Sequence, residues 1–494
     1  MNKVLILGID SLSPELLSRF EEKLPTFTRL RKESPAVELT SIFPIDSIPA
    51  WTSIFTGLNP ARHGLIYSFD VFESSWNAIL GINSAAIRGR TFWDHAGRGG
   101  KEVCILFPLV AYPSWPVNGT MVSRSLTGAI DSWPAELILE YSLANSEVLS
   151  GKHPGRKGLL EYAEKARQIT LQEAAVASRI LSTRQWDLAF TFFGMLDIIQ
   201  HFFWRFFDEK DPTYPGPTLL EGVVCEFYVL LDQIVGEFIQ TNPDAIVIVL
   251  SDHGHGMRPP KTVNLNEVLR KEGLLASKSR PWNPIPSGME FFKRSALNIV
   301  HALELDHWML KVSKKGALAS ITKNLYMSKT SIDMESTVAY LSSFAGPKSY
   351  PYGGIEIQKK NLPAAGLDYE YVRSRVIQCL MDLREPKTRD PLVQWAIRRE
   401  DLYHGPKIDL YPDVVFELQE GYGVYWGIHT PLIGIAYEHN LAPGGHRKNA
   451  VFLAHGVTNK NTGIRRMNLM DVAPTILSLL GIDGDFGFDG RSIW

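Results

Sequence analysis

The residues best suited to chemistry follow the most apolar run of the chain. Six apolar residues, Ala245–Leu250, lead through Ser251 to the pair Asp252 and His253. A run this short and uniform predicts a strand that is buried on both faces of a parallel sheet. Ligands of open α/β sheets bind beyond the carboxyl ends of the strands, and an adjacent carboxylate and imidazole are suitable metal ligands there. The alternative is a helix-capping aspartate beside a solvent-exposed histidine.

Two further apolar runs end in the same residue types. Val4–Ile9 is followed by Asp10, and the apolar segment Trp186–Phe193 precedes Asp197 and His201. A helix at this point would place the last two residues one turn apart on one face, as two ligands of a single ion require. The alternative for His201 is a hydrogen-bonded histidine in the apolar core.

A serine marks the start of a predicted helix. Pro49 belongs to the first turn of that helix, which places Ser47 at or next to the N-cap. A hydroxyl there lies at the positive end of the helix dipole, where a phosphate would meet free backbone N–H groups. The alternative is an ordinary capping serine.

A Gly-Gly-His sequence near the C-terminus adds one more imidazole, His446. The set then contains three carboxylates, three imidazoles and one hydroxyl. Mixed nitrogen and oxygen ligands favour zinc or manganese over magnesium or calcium. We therefore predict two neighbouring divalent ions, Zn²⁺ with Mn²⁺ as the alternative, that support in-line displacement at phosphorus. The predicted site residues are Asp10, Ser47, Asp197, His201, Asp252, His253 and His446.

Taken as a whole, the chain resembles the alkaline phosphatase superfamily. Within it the chain is most similar to the type I phosphodiesterase and nucleotide pyrophosphatase group, in the branch described as predicted phosphohydrolases or phosphomutases. The motifs that carry the resemblance are Gly8-Ile9-Asp10, Phe43-Pro44 with Ser47-Ile48-Pro49-Ala50-Trp51-Thr52-Ser53 and Thr56-Gly57, Asn59-Pro60 with His63-Gly64, Leu196-Asp197 with His201, Ser251-Asp252-His253-Gly254, and Gly445-His446-Arg447 with Ala454-His455-Gly456.

The resemblance implies a role for each site residue. Ser47 is expected to be the nucleophile and a ligand of one ion, and a covalent phosphoserine would then be hydrolysed or would pass its phosphoryl group to another hydroxyl. The implied ligands are Asp10, Ser47, Asp252 and His253 for one ion, and Asp197, His201 and His446 for the other.

Departures from the group leave the substrate class open. Diesterases of the group commonly carry a threonine nucleophile and an asparagine after the His-Gly turn, whereas this chain has Asp46-Ser47 and, near the second position, Ser68. Trp51 replaces the arginine of the sulfatase signature, which argues against a sulfatase.

We expect a hydrolase of phosphodiesterase or nucleotide pyrophosphatase type that acts on a small phosphorylated molecule. The alternatives are a phosphomonoesterase, an intramolecular phosphomutase, and a metal-free binding protein on the same fold.

Strands and helices must alternate to position these residues. We predict an α/β fold with an alkaline-phosphatase-like core, a mostly parallel sheet with helices on both faces, formed by residues 1–276 and 438–494. The alternation weakens after Pro259, and residues 277–437 are predicted to be a smaller inserted α+β cap that contacts substrate. Its amphipathic segment Met289–Val312 is open to three interpretations: a lid, a partner-binding helix or an ordinary packed helix.

Composition excludes several classes of protein. The 494 residues include 51 basic and 53 acidic side chains, so no excess of positive charge favours nucleic-acid binding. Three scattered cysteines indicate a reducing compartment. The N-terminus has no export signal, and no apolar run reaches the roughly 18 residues of a membrane-spanning helix. We therefore predict a cytoplasmic protein without stable membrane insertion, and its oligomeric state stays open.

Overall fold

The computed structural model describes residues 3–66, 84–143, 149, 155, 158–278, 332–342, 344, 349–436, 438–457 and 466–494. The chain forms two compact units. The core unit comprises Met1–Ser68, Ser75–Met257 and Gly444–Trp494, and Arg258–Pro443 belongs to the second, inserted unit. The predicted boundaries at residues 277 and 437 both lie within this inserted unit. Its proposed cap role stays a prediction, and Met289–Val312 falls outside the described residues.

Both units mix strands and helices. The strands are Lys3–Ile9 (β1), Glu38–Thr40 (β2), Val103–Leu106 (β3), Gly119–Arg124 (β4), Ile130–Trp133 (β5), Leu188–Phe193 (β6), Ala245–Leu250 (β7), Gly254–Met257 (β8), Lys261–Asn264 (β9), Ala339–Leu341 (β10), Tyr352–Ile357 (β11), Val393–Arg398 (β12), Val414–Leu418 (β13), Tyr422–Tyr425 (β14), Ile433–Ile435 (β15), Gly444–Arg447 (β16), Asn449–Ala450 (β17), Phe452–His455 (β18) and Arg466–Asn468 (β19). The helices are Pro14–Arg19 (α1), Pro25–Glu33 (α2), Ser47–Thr56 (α3), Pro60–His63 (α4), Phe92–Arg98 (α5), Leu137–Glu140 (α6), Leu159–Thr183 (α7), Met195–Phe207 (α8), Val223–Thr241 (α9), Leu265–Lys271 (α10), Leu362–Ala365 (α11), Tyr369–Met381 (α12), Arg399–Leu402 (α13), Glu438–Leu441 (α14) and Val472–Leu479 (α15).

A seven-stranded sheet forms the centre of the core unit. Its strand order is β18-β7-β1-β6-β3-β4-β5, in which the five inner strands are parallel and the two edge strands antiparallel. Every residue of β6 and β7 is buried, which explains why β7 is an unbroken apolar run and why Thr191 is the one polar residue of β6. Helices α2, α5, α7 and α9 pack against the sheet. The predicted α/β fold with a mostly parallel sheet is confirmed.

Helix α3 packs closely against the centre of this sheet. Trp51 on α3 is fully buried and meets the rings of Phe190 and Phe192 edge to face, with ring centroids 6.1 and 5.2 Å away. Gly8 on β1 leaves the space for it, since a Cβ atom at Gly8 would stand 2.8 Å from the Trp51 ring. This packing fixes the start of α3 at the carboxyl end of the central strands.

The inserted unit has sheets and a core of its own. Strands β10-β11-β13-β12 form an antiparallel sheet, and β14-β9-β15 form a smaller mixed sheet. Helix α12 contacts the four-stranded sheet, and the apolar side chains of both sheets share one buried cluster. The unit is therefore an α+β assembly.

None of the described helices is long and apolar enough to cross a membrane. All three cysteines, Cys104, Cys225 and Cys379, are free thiols, as their spacing predicted.

Candidate metal centre

Three neighbouring strands bring three carboxylates to one edge of the central sheet. Asp10 follows β1, Asp252 follows β7, and Asp197 lies in the first turn of α8, directly after β6. Strand β1 pairs in parallel with both β6 and β7, and Ile9 lies opposite Phe193. Because parallel strands end at the same edge, the three acidic residues lie side by side.

The serine predicted as nucleophile joins them from helix α3. Asp46 is the N-cap and its carboxylate accepts a hydrogen bond from the backbone N–H of Ile48 at 3.2 Å. Ser47 is the first residue of the helix, and its Oγ lies 3.3 Å from Asp10 Oδ1 and 3.2 Å from His253 Nε2. The hydroxyl therefore lies between a carboxylate and an imidazole at the positive end of α3.

Four residues converge in what we term the first half-site: Asp10, Ser47, Asp252 and His253. His253 Nε2 is 3.7 Å from Asp10 Oδ1 and 3.2 Å from Asp252 Oδ2. The two carboxylates and the imidazole are almost completely shielded from solvent. His253 Nε2 therefore lies within 3.7 Å of both carboxylates and of the Ser47 hydroxyl.

Three residues form the second half-site: Asp197, His201 and His446. Asp197 and His201 lie one turn apart on α8, as the spacing predicted, and their Oδ2 and Nε2 atoms are 3.4 Å apart. His446 on β16 completes the set, with Nε2 at 3.5 Å from Asp197 Oδ1 and 3.0 Å from His201 Nε2. The structure thus brings together all seven residues predicted from sequence.

All three imidazoles of the half-sites are oriented by backbone carbonyls. A carbonyl can only accept, so each of these bonds requires a proton on Nδ1 and leaves a lone pair on Nε2. In the second half-site two such lone pairs face each other at 3.0 Å, an arrangement that a cation between them would stabilise. The Nδ1 acceptors are the carbonyl of Gly444 for His201 at 2.9 Å, that of Ile45 for His446 at 2.8 Å, and that of Gly254 for His253 at 3.1 Å.

The pKa values of the three carboxyl groups shift in different directions. Burial, followed by the charges of Asp252 and Asp197, raises the pKa of Asp10 well above its usual range. Burial likewise raises the pKa of Asp252, to about 7. For Asp197 burial also acts upward, but the neighbouring His201 and His446 hold its pKa well below the usual range.

The donor set fits divalent cations. Within the described residues, every ion-pair partner within 4.0 Å of the three carboxylates is an imidazole, so no lysine or arginine neutralises them. Asp197 Oδ1 and Asp252 Oδ2 are buried without a hydrogen-bond partner. Burial and the nearby His446 lower the pKa of His253 well below its usual range, which keeps this imidazole a neutral lone-pair donor. Neutral imidazoles and uncompensated carboxylates are the ligands that zinc and manganese accept.

Asp197 belongs to both compact groups of donor atoms. Donor atoms lie within 4.8 Å of one another in two sets, Asp197 with His201 and His446, and Asp10 with Asp197 and His253. Asp252 is outside the second set, although its Oδ2 is 3.2 Å from His253. The two half-sites therefore adjoin at the Asp197 carboxylate.

Sequence reasoning did not single out Ser11, and it placed His255 outside the ligand set. Ser11 Oγ lies 2.7 Å from His255 Nδ1 and 3.3 Å from His253 Nδ1, and His255 Nδ1 lies 3.6 Å from Asp197 Oδ1. The sequence signal that could have indicated His255 is its spacing of two residues from His253, because residues two apart point to the same side of an extended chain.

Two other histidines of the motif loops have structural partners. His63 is buried and its Nε2 bonds with Ser53 Oγ at 3.0 Å, while its Nδ1 accepts from the backbone N–H of Leu65. His455 Nδ1 is 2.8 Å from the carboxylate of Glu33. Neither histidine contributes to the half-sites through these contacts.

Residues 4–446 match the model of one protein family, described as type I phosphodiesterase / nucleotide pyrophosphatase. A structure of phosphonoacetate hydrolase from Sinorhizobium meliloti is similar to this chain with a TM-score of 0.54 and 14% identity, covering 97% of this chain and 96% of the other. Mouse ectonucleotide pyrophosphatase/phosphodiesterase 5 gives 0.48 and 14%, covering 97% and 95% of the two chains. The human form of that protein gives 0.49 and 13%, covering 98% of each. Among curated proteins, none matches this chain.

Proposed function

This chain belongs to the type I phosphodiesterase / nucleotide pyrophosphatase family and is a metal-dependent phosphoric ester hydrolase, and we propose that it cleaves a phosphodiester or pyrophosphate bond of a small phosphorylated molecule through a covalent phosphoserine at Ser47. The position of the Ser47 hydroxyl carries this proposal. It is the one hydroxyl within hydrogen-bond distance of both a carboxylate and an Nε2 atom of the first half-site, among the described residues.

The proposed ligands are divided between two cations. Divalent ions bound there, which we propose to be Zn²⁺, would favour the deprotonated form of the Ser47 hydroxyl and polarise the phosphoryl oxygens. The residues that would hold them are Asp10, Ser47, Asp252 and His253 in the first half-site, and Asp197, His201 and His446 in the second.

The proposed reaction has two displacements. Ser47 Oγ attacks phosphorus and forms an O–P bond while the bond to the leaving oxygen breaks; the hydroxyl proton passes to solvent and the leaving oxygen takes a proton from solvent. A water molecule then attacks the phosphoserine, the Ser47 O–P bond breaks, and Ser47 regains a proton. The positive end of the α3 dipole would stabilise the oxygens on phosphorus, although Asp46 already accepts from the N–H of Ile48 and Pro49 has no N–H to offer.

A second candidate is a phosphomonoesterase or an intramolecular phosphomutase on the same site. The observation that favours it is the Asp46-Ser47 sequence, in which the N-cap carboxylate precedes the nucleophile as in phosphomonoesterases. Ser68, which replaces the asparagine of diesterases, lies outside the described residues. A mutase would move phosphate within its substrate without releasing inorganic phosphate.

A comparison of two substrates tests the proposal. We expect protein loaded with zinc or manganese to hydrolyse bis-p-nitrophenyl phosphate with a higher kcat/KM than p-nitrophenyl phosphate. A preference of roughly a hundredfold for the monoester, or about 2.7 kcal/mol in activation free energy, would overturn the diesterase assignment. Elemental analysis of chelator-free protein is the companion measurement, and wild-type protein that holds no transition metal would favour a binding protein on this fold.

A further inference from the structure

Behind the two half-sites lies a buried serine with an unusual backbone conformation. Ser11 has φ of +66°, in the left-handed region that residues other than glycine rarely adopt. Its N–H donates to Asp252 Oδ1 at 3.2 Å, and its carbonyl accepts from the side-chain amide of Gln200 at 2.9 Å. The first hydrogen bond reaches Asp252, a proposed ligand of the first half-site. The second reaches helix α8, which carries Asp197 and His201 of the second half-site. Strained conformations of this kind persist where the surrounding structure holds them and cluster at functional sites.

The Gln200 amide is itself fixed by neighbours. Its Oε1 accepts from the hydroxyl of Tyr228 at 3.1 Å, and that hydroxyl accepts from the backbone N–H of Ser13 at 3.1 Å. Gln200, Tyr228 and Ser13 are all fully buried. The backbone of Ser11 is therefore held by an ordered network of hydrogen bonds.

The Ser11 hydroxyl connects two imidazoles. His253 Nδ1 carries a proton for the carbonyl of Gly254 and faces Ser11 Oγ at 3.3 Å, so the hydroxyl oxygen accepts on this side. A hydroxyl has one proton to donate, and the partner for it is His255 Nδ1 at 2.7 Å. The two hydrogen bonds therefore run in one direction: His253 donates to Ser11, and Ser11 donates to His255.

His255 in turn supports the second half-site. Its ring packs edge to face against His201, with centroids 4.7 Å apart, and its Nδ1 lies 3.6 Å from Asp197 Oδ1. Trp204 covers another side of the ring at 5.7 Å. The other nitrogen, Nε2, is buried and has no hydrogen-bond partner within the part of the chain that the structure describes. A buried imidazole with an unsatisfied atom needs an explanation other than packing, because an apolar ring would fill the same space without that cost.

We propose that Ser11 and His255 form a positioning pair that holds the ligands of both half-sites in register: the Ser11 hydroxyl orients His253, and the His255 ring, held by Ser11, orients His201. The inference rests on the proposed two-cation function and assigns neither residue contact with substrate, since both are buried. Residues that orient metal ligands in this way typically change metal affinity or activity by roughly 10–100-fold when they are replaced.

Titration of chelated protein with Co²⁺, followed by its visible absorption spectrum, tests the pair without reference to turnover. We expect Ser11→Ala to weaken both binding steps by roughly 10–100-fold. His255→Phe is expected to weaken one step by a similar factor, and His255→Asn, which keeps an acceptor near the position of Nδ1, to restore part of the loss. The double variant Ser11→Ala/His255→Phe should lose less than the product of the two single losses, because the two residues share one hydrogen bond.

Two further variants separate the hydroxyl from the backbone. Ser11→Gly removes the same hydroxyl but relieves the positive φ, so its affinities should match those of Ser11→Ala; wild-type affinities in Ser11→Gly would overturn the proposal. Ser251→Ala is the matched control, since it removes a buried hydroxyl beside the site that bonds only with backbone groups. Its Co²⁺ affinities should equal those of the wild type.

The outcomes distinguish this inference from the proposed function. Wild-type protein that binds fewer than two Co²⁺ ions contradicts the proposed function. Two ions in the wild type, with unchanged affinities in every Ser11 and His255 variant, reject the positioning pair alone. Thermal unfolding of each metal-free variant identifies any that fail to fold, and the two Ser11 variants decide the question if His255→Phe does not fold.

Discussion

At the scale of the residue, replacing Ser47 should affect catalysis far more than metal binding. It is proposed as the sole nucleophile but as only one ligand of four in the first half-site. The donor atoms of Asp10 and His253 lie 3.7 Å apart without it, so they can still approach one ion. Chemistry and metal binding should therefore separate at this position.

We expect Ser47→Ala to lower kcat by at least about a thousandfold while most of the bound metal and the fold are retained, because it removes the proposed nucleophile, the one hydroxyl that the described residues place beside both Asp10 and His253 Nε2. Steady-state kinetics and elemental analysis of the same preparation measure the two effects. Ser53→Ala is the matched control, since it removes a buried hydroxyl from the same helix that faces His63. Residual activity above a few per cent in Ser47→Ala would reject the covalent route.

At this scale the sequence predicted which side chains meet at the site but not the residues that support them. Asp10, Asp252 and Asp197 were predictable because each follows an apolar run, and parallel strands end at a common edge. The Ser11–His255 bond was not, since it depends on one residue with a positive φ and on a long-range contact to a short glycine-rich strand.

At the scale of the element, strand β16 determines where His446 lies. It pairs antiparallel with β8, so that His446 stands opposite His255. Gly444 begins the strand, and its carbonyl accepts from His201 Nδ1 at 2.9 Å. One short strand therefore supplies one proposed ligand of the second half-site and orients another.

The close approach at Gly444 leads to a prediction for this strand. A Cβ atom there would stand 2.2 Å from the carbonyl oxygen of Gln200 and 2.6 Å from His255 Nε2, so the strand or helix α8 would have to move. Gly444→Ala should destabilise the protein by about 1–3 kcal/mol and lower metal content at the second half-site. Chemical denaturation and elemental analysis check these effects.

Gly97→Ala provides the control for that substitution. Its Cβ would meet no atom closer than 3.3 Å, and it lies in helix α5, outside both half-sites. The control should keep the metal content of the wild type. Full metal content and unchanged stability in Gly444→Ala would contradict the close packing between β16 and α8.

The β8–β16 pair also shows where sequence reasoning fails at this scale. The chain leaves the core unit after Met257 and re-enters it at Gly444, through two paired strands that lie far apart in sequence. Both strands have four residues and are rich in glycine, so neither shows the apolar alternation that marks a strand. Buried strands such as β6 and β7 can be predicted from their apolar sequences. The pairing of β8 with β16 instead depends on contacts between distant parts of the chain.

At the scale of the whole molecule, the metal-free protein carries a cluster of buried carboxyl groups without lysine or arginine partners among the described residues. The proposed cations would neutralise this charge, so metal should stabilise the fold as well as support catalysis. A ligand that binds only the folded state adds about 2.7 kcal/mol at a concentration a hundred times its Kd. Dialysis against a chelator should accordingly lower the unfolding midpoint, and zinc or manganese should restore it.

The stabilisation of the fold by metal should increase as the pH rises. Burial raises the pKa of Asp252 to about 7 and that of Asp10 well above its usual range, so in the metal-free protein both groups are most favourable to folding while protonated, and stability falls as rising pH removes their protons. The lowered pKa of Asp197 acts only in more acidic solution. Imidazoles of the unfolded chain titrate near about pH 6.5, but the unfolded state is the same with and without bound metal, so their titration cancels when the two forms are compared. Between pH 6.5 and 8 the metal-free protein should therefore become less stable at this site, and metal should compete with fewer protons.

We expect the rise in thermal midpoint on adding zinc at a fixed free concentration to be larger at pH 8 than at pH 6.5. The rise compares the metal-free and metal-bound forms of the same protein, so the contributions of titrating groups remote from the site cancel. One such group is Glu356 in the inserted unit, and its pKa is raised to about 7 by burial and by the charge of Asp413. Asp252→Asn replaces one of the titrating carboxyl groups and should show a smaller pH dependence than the wild type. A metal-induced rise that is equal at both pH values, or larger at pH 6.5, would mean that the buried carboxylates do not bind the cations.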